Sequence, residues 1–119
     1  MSVTKAKCYY LGQDGHKRMN CAQSVLSAFK ERFYIDDELI EEFKSYGGGR
    51  APDSLCGAYY AAKKIINDYY KDKIKEFEQY FIMQAGSIKC HAIREAKKLS
   101  CLECVEKSVE FVQENLIKK

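Results

Sequence analysis

The chain is 119 residues long, the length of one domain, and combines 46% hydrophobic with 31% charged residues, six cysteines, one proline and no tryptophan. That composition excludes a disordered or membrane-embedded chain, and a formal charge of +3 is too even to call for nucleic acid or an anionic membrane as partner. A core of this size does not need disulfide or metal staples, so the cysteines require another explanation.

The first helix is expected around Val3 to Leu11. The stretch Met1 to Met19 holds no apolar run that could serve as a signal sequence, and no window approaches the ~18 apolar residues of a membrane span. A cytoplasmic location follows as the default expectation, and structural disulfides are rare there. Ala22, Val25, Leu26, Phe29 and Phe33 then mark one apolar helical face. Asp36 reads as the N-cap of a further helix, with Ile35 and Ile40 as its hydrophobic staple. That helix runs to about Tyr46 and stops at Gly47-Gly48-Gly49, followed by a loop through Arg50-Ala51-Pro52-Asp53.

Residues 54–85 are apolar and aromatic-rich, and read as two helices joined near Lys71-Asp72-Lys73. Gly86-Ser87 opens a short helix with Ile88, Ile93, Ala96 and Leu99. The last helix carries a stripe of Leu102, Val105, Val109, Val112 and Leu116. No strand-like alternation, internal repeat or linker interrupts this pattern. The expected fold is all-α, a compact single-domain bundle of five to seven helices over residues 1–119.

Four cysteines fall at predicted helix starts. Asn20-Cys21-Ala22-Gln23 and Ser100-Cys101-Leu102-Glu103 both have the form of a capping box, with the cysteine at the first helical position. Asp53-Ser54-Leu55-Cys56 and Ser87-Ile88-Lys89-Cys90 place Cys56 and Cys90 in a first turn. Unpaired backbone N–H groups there stabilise a thiolate and lower its pKa, as a nucleophilic or metal-bound sulfur requires. Gaps of 35, 34 and 11 residues separate Cys21, Cys56, Cys90 and Cys101, so any shared site gathers them from separate helices. Cys101-Leu102-Glu103-Cys104 is also a CxxC, a local redox pair or two metal ligands, which makes Cys104 an alternate to Cys101. Val105 stands where c-type haem attachment needs histidine. Cys8 reads as structural, and His16 and His91 as surface residues. Gly47, Gly48, Gly49 and Arg50 ahead of a helix could cradle an anion, though neither a Walker A motif nor GxGxxG is present.

Taken together, Asn20-Cys21-Ala22-Gln23-Ser24-Val25-Leu26, Gly47-Gly48-Gly49-Arg50 ahead of Cys56-Gly57-Ala58, Gly86-Ser87-Ile88-Lys89-Cys90, and Cys101 ahead of Val105 resemble the redox-active proteins named for their C…CGAxxG…C…C pattern. The resemblance runs from about Cys8 to the C-terminus. It implies a small all-helical protein with four functional cysteines, here Cys21, Cys56, Cys90 and Cys101, supported by Gly47, Gly48, Gly49 and Gly57. The chain departs from the pattern at Ala61, where a glycine would close CGAxxG.

Three functions stay open on the sequence. In the first, the four cysteines hold an iron–sulfur cluster, or less readily zinc, for electron transfer with a redox partner. A metal-free thiol–disulfide protein is the second, with pairs such as Cys21–Cys56 or Cys101–Cys104. The third is a helical dimerisation module with the cysteines as packing. No Ser-His-Asp set, no HExxH and no distinctive carboxylate pair points to a substrate.

Overall fold

Residues 2–12, 19–46, 51, 55–96 and 99–117 are described by the computed structural model. Among them lie seven α-helices: α1 (Ser2–Leu11), α2 (Cys21–Ala28), α3 (Asp37–Glu42), α4 (Gly57–Tyr69), α5 (Ile74–Ala85), α6 (Cys90–Ala96) and α7 (Cys101–Val112). The all-α expectation holds. Helix starts follow their capping chemistry. Asp36 accepts a hydrogen bond from the Leu39 amide at 2.9 Å, and Asp37 and Glu38 place negative charge in the first turn of α3. Ile35 and Ile40 are both buried beside that cap, as a staple requires.

The break expected near Lys71 is real. Tyr70 leaves helical geometry, a 3₁₀ turn spans Lys71–Lys73, and α5 starts at Ile74. Helix α5 ends where Gly86 turns left-handed at φ 90° and its amide reaches the Ile82 carbonyl at 2.7 Å, a conformation glycine adopts without steric cost. Helix α3 tightens into a 3₁₀ turn over Phe43–Tyr46, so the segment reaches Tyr46 in two pieces.

One boundary differs from the periodicity. The apolar face that continues to Phe33 predicts one helix, yet α2 stops at Ala28 and Phe29–Tyr34 form turns. Phe33 is held by contacts outside the helix: its ring lies 4.8 Å from that of Tyr69, and the Tyr69 hydroxyl donates to the Phe33 carbonyl at 2.6 Å. Tyr34 then takes φ 53° and the chain reverses into Ile35, whose amide bonds to the Lys30 carbonyl. Tertiary contact overrides the local period here.

Helix α2 packs against α1, α4 and α7, and α4 lies along α7. Their facing sides supply the core: Val25 and Leu26 from α2, with Phe29 just beyond its end, Tyr59, Ile65 and Ile66 from α4, and Val105, Val109 and Val112 from α7. Phe77 and Phe81 of α5 close it; the rings of Tyr59 and Phe77 stack at 5.3 Å, and Phe77 meets Phe111 at 5.0 Å. Each such buried side chain contributes about 1.5–3 kcal/mol of transfer free energy. This packing fixes the relative positions of the starts of α2, α4 and α7, where three of the cysteines lie.

Candidate thiol centre

The start of α2 is built by two side chains that each work twice. The Asn20 Oδ1 accepts from the Gln23 amide at 2.8 Å, while its Nδ2 donates to the carbonyls of Lys44 at 2.8 Å and Phe43 at 3.2 Å. Gln23 completes the capping box through Oε1 and donates from Nε2 to the Ile40 carbonyl at 3.1 Å. Thus Asn20 and Gln23 cap α2 and also fasten it to α3 and its 3₁₀ extension. Cys21, the first residue of α2, is buried behind them.

Helix α4 approaches this start with no room to spare. Cys56 occupies its N-cap position and Gly57 its first helical position. A Cβ on Gly57 would lie 2.7 Å from the Cys21 Sγ, 2.7 Å from the Tyr46 carbonyl oxygen and 3.3 Å from the Ala22 Cβ. Gly57 therefore supports the site by letting the two helix starts touch. On its other side, Leu55 and Lys89 form an antiparallel bridge, and the Cys56 amide donates to the Ile88 carbonyl at 2.8 Å. That bridge brings Cys90, the first residue of α6, next to Cys56. Ser87 accepts from the Lys89 amide at 3.1 Å, two residues too early to cap α6; the Lys89 carbonyl instead accepts from the Ile93 amide.

Helix α7 brings the remaining two thiols. Ser100 and Glu103 form the expected box, with Ser100 Oγ accepting from the Glu103 amide at 3.2 Å and Glu103 Oε1 from the Ser100 amide at 2.8 Å. Cys101 is the first residue of α7 and is half-buried; Cys104, one turn on, is fully buried. Of the groups around the Cys56 thiol, Cys104 acts on it most strongly.

Electrostatics link three of the cysteines, Cys21, Cys90 and Cys101, to one cation, Arg94. The interaction with Cys104 and then burial push the Cys56 thiol well above the usual thiol range, against the amides of Tyr59 and Ala58, which favour its anion. Burial also pushes the Cys90 thiol up, opposed by Arg94 one turn away and assisted by Cys56 and Cys101. Arg94 is held in its charged form by Cys90 first and then by Cys101, with a smaller contribution from Cys21. The expectation that helix starts lower these thiols fails at Cys56 and Cys90. At Cys56 the interaction with Cys104 and then burial outweigh the amide dipoles; at Cys90 burial does, and α6 has only seven residues to sum.

Cys21 lies against Gly57, the residue after Cys56; Cys90 is influenced by Cys56 and Cys101, and Cys56 most strongly by Cys104. Arg94 was missed; its signal was the four-residue step from Cys90, which puts both on one helix face. His91 is exposed, Cys8 is half-buried on α1, and Gly47, Gly48, Gly49, Arg50 and His16 lie outside the described residues. Among the described residues, no three His, Cys, Asp or Glu side chains are placed to hold a metal ion. As arranged, the thiols do not fit a zinc site, in which four ligands surround one ion at about 2.0–2.3 Å.

The family model described as "Putative redox-active protein (C_GCAxxG_C_C)" matches residues 19–115. The chain belongs to this family. The C_GCAxxG_C_C name spells its central motif Gly-Cys-Ala, whereas this member reads Cys56-Gly57-Ala58, and Ala61 replaces the closing glycine. Ala61 is fully buried within α4. Cys8 precedes the matched span. No curated protein and no solved structure matches the chain.

Proposed function

We propose that this C_GCAxxG_C_C protein is a thiol redox protein whose reacting pair is Cys56 and Cys104. The observation that supports the reading is that Cys104 of α7 is the strongest influence on the buried Cys56 thiol at the start of α4. Oxidation breaks two S–H bonds and forms one S–S bond. Two protons and two electrons pass to a disulfide-bearing partner, which leaves as two thiols. Cys56 is protonated and buried at neutral pH, so this pair stores the disulfide rather than meeting the partner directly.

The test is oxidation of the reduced protein with oxidised glutathione, followed by non-reducing peptide mapping. One disulfide joining Cys56 and Cys104, reversed by dithiothreitol, is expected. Absence of any reversible bond involving either residue overturns the reading.

A second reading, an iron–sulfur centre on Cys21, Cys56, Cys90 and Cys101, is favoured by the convergence of four helix starts. Such a [2Fe–2S] centre shares its four thiolates between two irons, and so asks less of the geometry than zinc does. Anaerobic purification decides: stoichiometric iron with visible charge-transfer absorption supports the cluster, and a colourless, iron-free protein supports the dithiol.

A further inference from the structure

At the far end of α4 from Cys56, about 18 Å along the helix, lies a hollow with no cysteine among its described lining residues. Its volume is about 130 Å³, close to the ~150 Å³ that accepts one aromatic ring and below the roughly 300–1,000 Å³ of a cofactor pocket. That is room for one inserted side chain. Phe33, Ile35, Leu39 and Ile65 give it an apolar lining, while Tyr34 and Tyr69 border it and remain 89% and 50% exposed. Tyr69 is fixed, with its hydroxyl on the Phe33 carbonyl and its ring against that of Phe33. Tyr34 is held out at φ 53°, a left-handed backbone that a bulky residue adopts only at a cost. With its ring almost wholly in solvent, Tyr34 has little packing of its own to offset that cost.

The charge around the hollow is unbalanced. Residues 36–42, which cap and form α3, hold five acids and no base, on a chain whose net charge is +3. Asp36 and Asp68 border the hollow with one cation, Lys64, which already pairs with Asp68 at 3.2 Å. Of the neighbouring cations, Lys30 is paired with Asp37, and Arg32 does not line the hollow. Asp36 accepts from the Leu39 amide through one oxygen, and among the described residues it forms no ion pair. Asp68 stands in the last turn of α4, which has no basic residue, and adds to the negative end of the helix dipole.

We propose that this hollow docks an arginine side chain presented by a basic segment of a partner protein. The arginine stem covers the apolar lining, and its planar guanidinium stacks on the exposed tyrosine rings while pairing with Asp36 or Asp68. Arginine suits the site better than lysine, because its flat, delocalised head stacks on a ring and offers a carboxylate two parallel N–H groups. A polypeptide suits it better than a lone cation, because the acids of α3 run on past the hollow and ask for more than one positive charge. Docking here gives the outward-held Tyr34 ring the contact that the free chain does not.

The test titrates the isotope-labelled, reduced full chain with an acetylated, amidated peptide of alternating alanine and arginine, read from backbone amide shifts by NMR. A second peptide with leucine in place of arginine is the control. Shifts are expected to concentrate at residues 33–39 and 64–69, and the affinity to fall with added salt. Tyr34→Gly, which suits φ 53°, should melt no lower than the wild type yet bind the arginine peptide about threefold more weakly, the loss of one exposed cation–π contact. Tyr34→Phe keeps the ring and should bind as the wild type does. Undiminished binding by Tyr34→Gly overturns the proposal. Shifts centred on another surface, or equal binding of the leucine peptide, overturn it as well. No sulfur takes part, so the disulfide between Cys56 and Cys104 stands or falls separately.

Discussion

The starts of α2 and α7 carry the same local device and reach opposite ends. Each has a polar cap, a cysteine at the first helical position and a Gln or Glu that closes the box. At α2 the cap reaches outward: Asn20 and Gln23 spend their spare donors on the carbonyls of Phe43, Lys44 and Ile40, and Cys21 is sealed against Gly57. At α7 the box is purely local, both of its side chains face solvent, and Cys101 stays accessible beside Arg94. The same motif thus makes one sealed thiol and one more accessible one. The choice lies in whether the cap has amide hydrogens left over. Asn and Gln have them; Ser and ionised Glu do not supply equivalents.

The sealed start breaks most readily at Gly57. Gly57→Ala would push a methyl into the Tyr46 carbonyl as well as the Cys21 sulfur, and a backbone oxygen cannot swing aside. A loss of about 2–3 kcal/mol is expected in urea unfolding under reducing conditions. A loss below ~0.5 kcal/mol would mean that α2 and α4 do not meet as described.

Removing the two caps measures the difference between the starts directly. Ser100→Ala should cost about 1 kcal/mol, the value of a helix cap. Asn20→Ala loses the cap and also two hydrogen bonds to half-buried and exposed carbonyls, and should cost about 2 kcal/mol. Equal costs would erase the distinction drawn here.

The smallest effect asks whether the sealing extends along the helices behind the two starts. Tyr59 on α4 is fully buried and donates to Glu78, and burial and then that carboxylate raise its phenol well above the ordinary value. Tyr80 reaches α7 through Glu110, and burial and then Glu110 raise it to about 12. The unfolded chain releases these protons near pH 10 while the folded chain keeps them, so stability is full below pH 10 and falls as pH rises toward the folded values. A slope of about 1 kcal/mol per tyrosine between pH 10 and 11 is expected. Tyr59→Phe should flatten it more persistently toward higher pH than Tyr80→Phe, as read from denaturant midpoints across that range.

Much of this architecture is legible in the residues. Asp36, Asn20 and Ser100 announce their helices because capping is a local exchange between a side chain and amides two or three residues away. The break at Lys71–Lys73 and the stop at Gly86 are legible for the same reason. What sequence spacing could not show are relations between elements. Phe33 lies on the periodic face of α2, but Tyr69, 36 residues later, takes it out of the helix. Cys104 looks like the second half of a CxxC, yet its neighbour is Cys56, set by how α4 lies on α7. The raised thiols reflect the neighbouring Cys104 and then burial at Cys56, and burial at Cys90, which a cap motif cannot encode. Arg94 carries a weak local clue in its step from Cys90, and none for its interaction with Cys101.

The bridge between Leu55 and Lys89 has a use that involves no sulfur at all. It leaves the Cys56 amide hydrogen on the Ile88 carbonyl, at the seam where the α6 segment meets the start of α4. That single proton exchanges with solvent deuterium only when the seam parts, so its exchange rate clocks how often the short helix bearing Cys90 and Arg94 lifts from the rest of the bundle.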